Sequence, residues 1–190
     1  FKIYDNVMRS NFPAIELYLG ASGHAITYNY FLNSQGGLAP IDNHNAHNFM
    51  NLIEGNVGYG ILQDGYFGSA EKWTVFRNHF HGDEAAFGAR KILNLGHWTR
   101  DWSIVANILG NPRTNWGSYL QQSGWNNSNT VIRRYGYPNM GNDTYSGTNL
   151  TIQATNYSFM DFYVWSNMLE HANVEFASIG SKETNYSATI

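Results

Sequence analysis

Apolar and polar positions recur along this chain with a long period, not a helical one. Asn6, Asn29, Asn56, Asn78 and Asn107 serve as anchors, separated by 23, 27, 22 and 29 residues. Three positions before each anchor stands a β-branched residue: Ile3, Ile26, Ile53, Val75 and Ile104. Five before stand Phe1, His24, Asn51, Trp73 and Trp102, and two after stand Met8, Phe31, Gly58, Phe80 and Leu109. Strand side chains alternate between faces, so the residues five and three before the anchor share one face, which points inward. The pattern predicts a short strand, a sharp turn at the Asn, then a second short strand. Asn suits that corner because it tolerates left-handed backbone. Its amide can also bond the Asn of neighbouring coils.

A further strand set precedes the later anchors, at 14–17, 40–43, 61–64 and 91–94. Each repeat then holds about three short strands in 22 to 29 residues, the period of a β-solenoid. Helical alternatives fail because Gly and Asn interrupt every candidate run. The expected fold is all-β, a right-handed parallel β-helix forming one domain. Residues 1–110 read as regular coils. Residues 111–150, rich in Asn, Ser, Gly and Tyr, read as a long loop excursion. Residues 151–190 read as last coils or a cap, with strand-like runs near 150–152 and 162–165. There Val164, Asn167 and Leu169 restore the anchor spacing. The pattern is already under way at Phe1, so the chain reads as a processed product or as a piece of a longer protein.

Composition supports this picture. Asn is roughly one residue in eight, there are 13 Tyr, and charged residues are only 13%. Asn and Gly are poor helix formers and Tyr favours strands. A net charge of -3 supplies no basic footprint for nucleic acid. No apolar run is long enough for a membrane span. With no Cys, disulfides, thiolate metal sites and thiol nucleophiles are excluded.

Three runs carry a resemblance. Residues 47–57 read His-Asn-Phe-Met-Asn-Leu-Ile-Glu-Gly-Asn-Val, 64–69 read Asp-Gly-Tyr-Phe-Gly-Ser, and 74–78 read Thr-Val-Phe-Arg-Asn. Over residues 40–80 the chain resembles bacterial right-handed parallel β-helix repeat proteins of the pectate-lyase-like superfamily. That superfamily holds polysaccharide lyases, glycoside hydrolases, epimerases, tailspikes and adhesins, so the resemblance implies a fold before an activity. It also implies an extracellular or cell-surface setting. The run Arg133-Arg134-Tyr135-Gly136-Tyr137-Pro138 is the nearest equivalent of the lyases' Arg- and Pro-containing loop, and it does not match that motif.

The resemblance places activity on the outer face of the strand set at 14–17, 40–43, 61–64 and 91–94. With Ile15, Ile41, Leu62 and Ile92 taken as the inward row, Glu16, Asp42, Gln63 and Leu93 point out, and a bulge would add Asp64. Catalytic candidates are Asp42, His44, His47 and Asp64; Glu16, Tyr18 and Tyr66 are candidates for holding sugar. Glu16, Asp42 and Asp64 are also candidate calcium ligands, because calcium takes carboxylate oxygens. The alternative for this face is an ordinary solvated polar surface. A second polar loop holds His79, His81, Asp83 and Glu84, and Trp98, Trp116 and Trp125 are further aromatics in loops or at strand edges. The Asn29, Asn56, Asn78 and Asn107 ladder is structural. The expected function is an extracellular β-helix that binds polysaccharide and cleaves it if the acids act as acid and base. The alternative is a structural or adhesive part of a fibre, filament or phage tailspike, self-associating through the open ends of the β-helix.

Overall fold

The fold is seen in a computed structural model that describes residues 1–10, 13–33, 39–63, 70–83, 91–96, 99–114, 116–119, 131–137, 164, 167–176 and 183–186. In chain order the first strands are β1 (Lys2–Tyr4), β2 (Val7–Arg9) and β3 (Ile15–Tyr18). They are followed by β4 (Ala25–Thr27), β5 (Tyr30–Leu32) and β6 (Ile41–His44), then by the short β7 (Asn48–Phe49). Next come β8 (Leu52–Glu54), β9 (Val57–Gly58), β10 (Ile61–Gln63) and the short β11 (Ala70–Glu71). The succession repeats with β12 (Thr74–Phe76), β13 (His79–Phe80) and β14 (Lys91–Gly96), then β15 (Trp102–Val105), β16 (Ile108–Leu109) and β17 (Gly117–Tyr119). Last are β18 (Val131–Tyr137), β19 (Met168–Glu175) and β20 (Glu183–Tyr186).

These strands stack as a parallel β-helix. One sheet folds round the Asn corner, running β1-β4-β8-β12-β15-β19 on one side and returning β16-β13-β9-β5-β2 on the other. A second sheet runs β3-β6-β10-β14-β18-β17, and β7 pairs β11 in a third. Ile3, Ile26, Ile53, Val75 and Ile104 lie in register as expected. Ile26, Ile53, Val75 and Ile104 are fully buried. Trp73 and Trp102 stack inside the core, ring centroids 4.7 Å apart and planes 6° from parallel. Each indole N–H reaches a carbonyl, of Asn48 and Ala70 respectively.

The Asn ladder is continuous from Asn6 through Asn29, Asn56, Asn78 and Asn107 to Asn173. At each step the backbone N–H and Nδ2 of one Asn donate to Oδ1 of the next, at 2.9 and 3.0 Å between Asn56 and Asn78. Nδ2 also donates to the carbonyl of the β-branched residue one coil back, as Asn78 does to Ile53 at 2.9 Å. The Asn is not the left-handed residue. Positive φ falls one position earlier, at Asp5, Tyr28, Gly55, Arg77, Ala106 and Ala172. The Asn is therefore selected for its amide, and its predecessor turns the chain. At Gly55 the φ is 65°, an angle other residues adopt at this position, but a Cβ there would meet the Tyr28 ring at 2.5 Å, so the close approach of that ring favours glycine.

The C-terminal end departs from the expected pattern. The sixth rung is Asn173, not Asn167, and Glu170 and Glu175 occupy positions held elsewhere by Ile104 and Leu109. Both carboxylates are buried and pair with Arg133, whose guanidinium enters from β18. The Tyr135 hydroxyl donates to Glu170. β17 and β18 come from within 111–150, and the run 133–137 is strand, not loop. The expected strand at 150–152 lies outside the described residues; of the expected run 162–165 only Val164 is described, and it is buried in helical backbone, not strand. β20 then crosses β19 antiparallel, unlike every other strand pair among the described residues. No helix among the described residues is long and apolar enough to cross a membrane.

Candidate functional site

The second sheet sets its inward row by register: Ile15, Ile41, Ile61, Leu93 and Arg133. Leu62 and Ile92 are thus not its members, and the expected inward row slips by one residue there. Gln63 and Leu93, expected to point out, are fully buried. Gln63 shares the inward row of Leu17, Asn43, Leu95 and Tyr135 and accepts a hydrogen bond from the Thr99 hydroxyl. Both Ile61 and Leu62 are buried because Leu62, facing out, packs with Ala39 and Tyr59.

The outward row is Glu16, Asp42, Leu62, Asn94 and Arg134. Glu16 is exposed, whereas Asp42 is only 1% exposed and Arg134 only 7%. Arg134 Nε donates to Asn94 Oδ1 at 2.7 Å. Beside them Lys91 is partly buried and its backbone N–H donates to the Tyr59 hydroxyl at 3.0 Å. Burial first, and the Arg134 charge second, push the Lys91 ammonium down to about 8. The next outward row pairs Tyr18 with His44, rings 5.4 Å apart, with Tyr18 48% exposed. His47 is exposed and held at a φ of 65° in the following loop.

The expected site residues Glu16, Tyr18, Asp42 and His44 are therefore brought together on adjacent strands of one face. His47 lies in the loop that follows β6, and Asp64 and Tyr66 lie outside the described residues. Lys91, Asn94 and Arg134 were not anticipated. Their signal was present in the chain as a Lys-Ile-Leu-Asn strand beside an Arg-Arg pair, but only the register aligns them. Among the described residues no three His, Asp or Glu side chains converge as a metal site.

The other candidates resolve into structural roles. The His81 ring accepts the Asp83 backbone N–H at 2.9 Å, and Asp83 pairs with Arg113. Burial lowers the pKa of both His79 and His81. Trp116 is 1% exposed, with its N–H on the Asn111 carbonyl, so it is a core plug and offers no face to a sugar. Glu84, Trp98 and Trp125 lie outside the described residues. Compared with known protein families, curated proteins and solved structures, the chain finds no match.

Proposed function

We propose that the outward face of the second sheet binds an acidic polysaccharide outside the cell, in the manner of the pectate-lyase-like superfamily that residues 40–80 resemble. The observation that carries the reading is the composition of this face. A half-exposed aromatic, Tyr18, stands at one end and a cation, Arg134, at the other, with a second cation, Lys91, near enough to feel its charge. An outward strand face normally leaves charges in water; here Asp42 and Arg134 are both buried, on either side of Leu62 and Asn94. Groups held in that way are preorganised for hydrogen bonds to a ligand. From Glu16 to Arg134 the row spans four strand steps, about 19 Å, a length that suits an oligosaccharide. The sugar ring packs on Tyr18, hydroxyls bond Glu16 and His44, and carboxylates meet the cations.

The test is titration calorimetry with uronic-acid oligosaccharides and with their carboxyl-reduced, neutral counterparts, each with and without calcium. The acidic ligands bind and the reduced ones bind at least about tenfold more weakly, a difference of about 1.4 kcal/mol. Tyr18→Ala and Glu16→Ala, both at exposed positions, weaken binding without moving the melting temperature. Equal affinity for acidic and reduced ligands, or none for either, overturns the reading. Release of unsaturated or reducing ends from the bound ligand would extend the assignment to cleavage by Asp42, His44 or His47.

A further inference from the structure

The Asn corner carries side chains on its outside that the ladder does not use. The turn residue before each Asn is never buried, and at three successive coils it is Tyr28, Gly55 and Arg77. Tyr28 is 53% exposed, and its ring fills the space beside Gly55 that a Cβ would need. The Tyr28 hydroxyl donates to Glu54 at 3.2 Å and accepts from Arg77 at 3.3 Å. Arg77 also pairs with Glu54 and lies over the Phe76 ring, 4.6 Å from its centroid. An exposed aromatic ring is thus pinned across three coils, with a carboxylate and a guanidinium at its hydroxyl edge. These bonds leave capacity over, since a carboxylate has two accepting oxygens and a guanidinium a fork of N–H donors. Among the described residues the side chains of Glu54 and Arg77 make no other hydrogen bond.

From this arrangement we infer that the Asn corner binds a neutral hexose unit of a glycan, stacked on Tyr28 and held by Glu54 and Arg77. One face of a hexose ring is lined by C–H groups, and it packs on the aromatic ring as other apolar surface does. Two neighbouring hydroxyls then donate to the carboxylate and accept from the guanidinium, which stand side by side. The carboxylate and the guanidinium already neutralise each other. A charged sugar therefore finds no net attraction there and loses hydration on binding. Because the ring is fixed by Gly55 and by its own hydroxyl bonds before the sugar arrives, little freedom is lost on binding. One ring and one ion pair make a weak site, with a Kd on the order of 1 mM. The inference is independent of the reading of the second sheet, which concerns a different surface and an acidic ligand.

The probes are neutral tetrasaccharides of gluco, manno and galacto configuration, titrated into the intact protein to about 10 mM while amide shifts are read by NMR. At least one of them should shift residues 28, 54, 55 and 77 saturably, and its uronic-acid form should bind there no better. Tyr28→Ala removes the ring but not the turn, because Ala holds the same left-handed position at Ala106 and Ala172. Binding at the corner should then fall about tenfold. Gly55→Ala keeps the ring and places a Cβ in the space it fills, so binding should fall although no aromatic is lost. Arg77→Gln, at a side chain 54% exposed, removes the donors and should weaken binding without altering the melting temperature. Tyr18→Ala, on the second sheet, should leave the corner shifts unchanged. No shift at these residues with any of the three sugars, shifts that survive Tyr28→Ala or Gly55→Ala, or a preference for the uronic-acid form overturns the inference.

Discussion

Asn78 commits its whole amide: Oδ1 accepts from Asn56, while Nδ2 donates to Asn107 and to the Ile53 carbonyl. Asn78→Ala strands those buried partners and should lower stability by about 1–3 kcal/mol in urea denaturation. Asn6→Ala, at the exposed end, should change it by under about 0.5 kcal/mol. Equal losses at the two would show that the ladder is not what stabilises the corner. Lys91 makes a pH prediction. Folding lowers its pKa from 10.5 to about 8, so between those values the unfolded chain binds more protons and stability rises with pH. The penalty is full below about pH 8 and relieved above it. Relative to Lys91→Met, the parent should therefore gain urea resistance between about pH 7 and pH 9.5. The Asn positions could be found from the chain alone, because burying an amide once per coil demands the same residue each time. The left-handed position could not, since Asp, Tyr, Gly, Arg and Ala all occupy it. There the corner dictates the backbone and the residue type follows weakly.

At the level of elements, the Arg133, Glu170 and Glu175 cluster welds β18 to β19. Arg133→Leu leaves two buried carboxylates without their cation and should cost about 3–5 kcal/mol. Replacing Arg133, Glu170, Glu175 and Tyr135 together with Met, Leu, Leu and Phe removes every buried charge of the cluster at once. That variant should match or exceed the parent's stability, by up to about 4 kcal/mol. If the single and quadruple variants lose equally, the cluster is not an isolated ion network. These strands also mark where pattern reading stops. A search for β-branched residues passes over Glu170, and so places the sixth rung at Asn167 when the structure has it at Asn173. The doublets Ile61-Leu62 and Ile92-Leu93 defeat it differently. Both members are buried, so apolarity alone cannot say which one faces in, and a slip of one residue exchanges the faces. That slip concealed the alignment of Asn94 and Arg134 with Glu16 and Asp42, and with it the cationic half of the candidate site.

For the molecule as a whole, a stack in which each coil touches only its neighbours gains stability from interfaces on both sides. The first coil has one such interface, and the coils of β8 and β12 have two. Amide hydrogen exchange should therefore be fastest in β1 and β2, slowest in β8, β12 and β15, and slow again at β19 beneath β20. Uniform protection from β1 to β15 would mean that the chain opens only as one unit. The fold was legible at this scale because repetition multiplies a weak local signal over several coils. The long stretch between the fifth and sixth rungs, Asn107 and Asn173, offers the anchor spacing only once, at Val164, Asn167 and Leu169, and there it misleads.

The direction of the bonds carries a mechanical consequence. Every strand lies across the long axis, whereas the interstrand bonds and the amides from Asn6 to Asn173 lie along it. Tension applied along that axis loads one coil boundary at a time, so the molecule should yield in small successive steps, like a zip. Each step between Asn6 and Asn107 would release a coil of 22 to 29 residues, about 80–100 Å of chain. Tension along the strands instead loads every boundary together in shear, and the same protein should resist as a single stiff block.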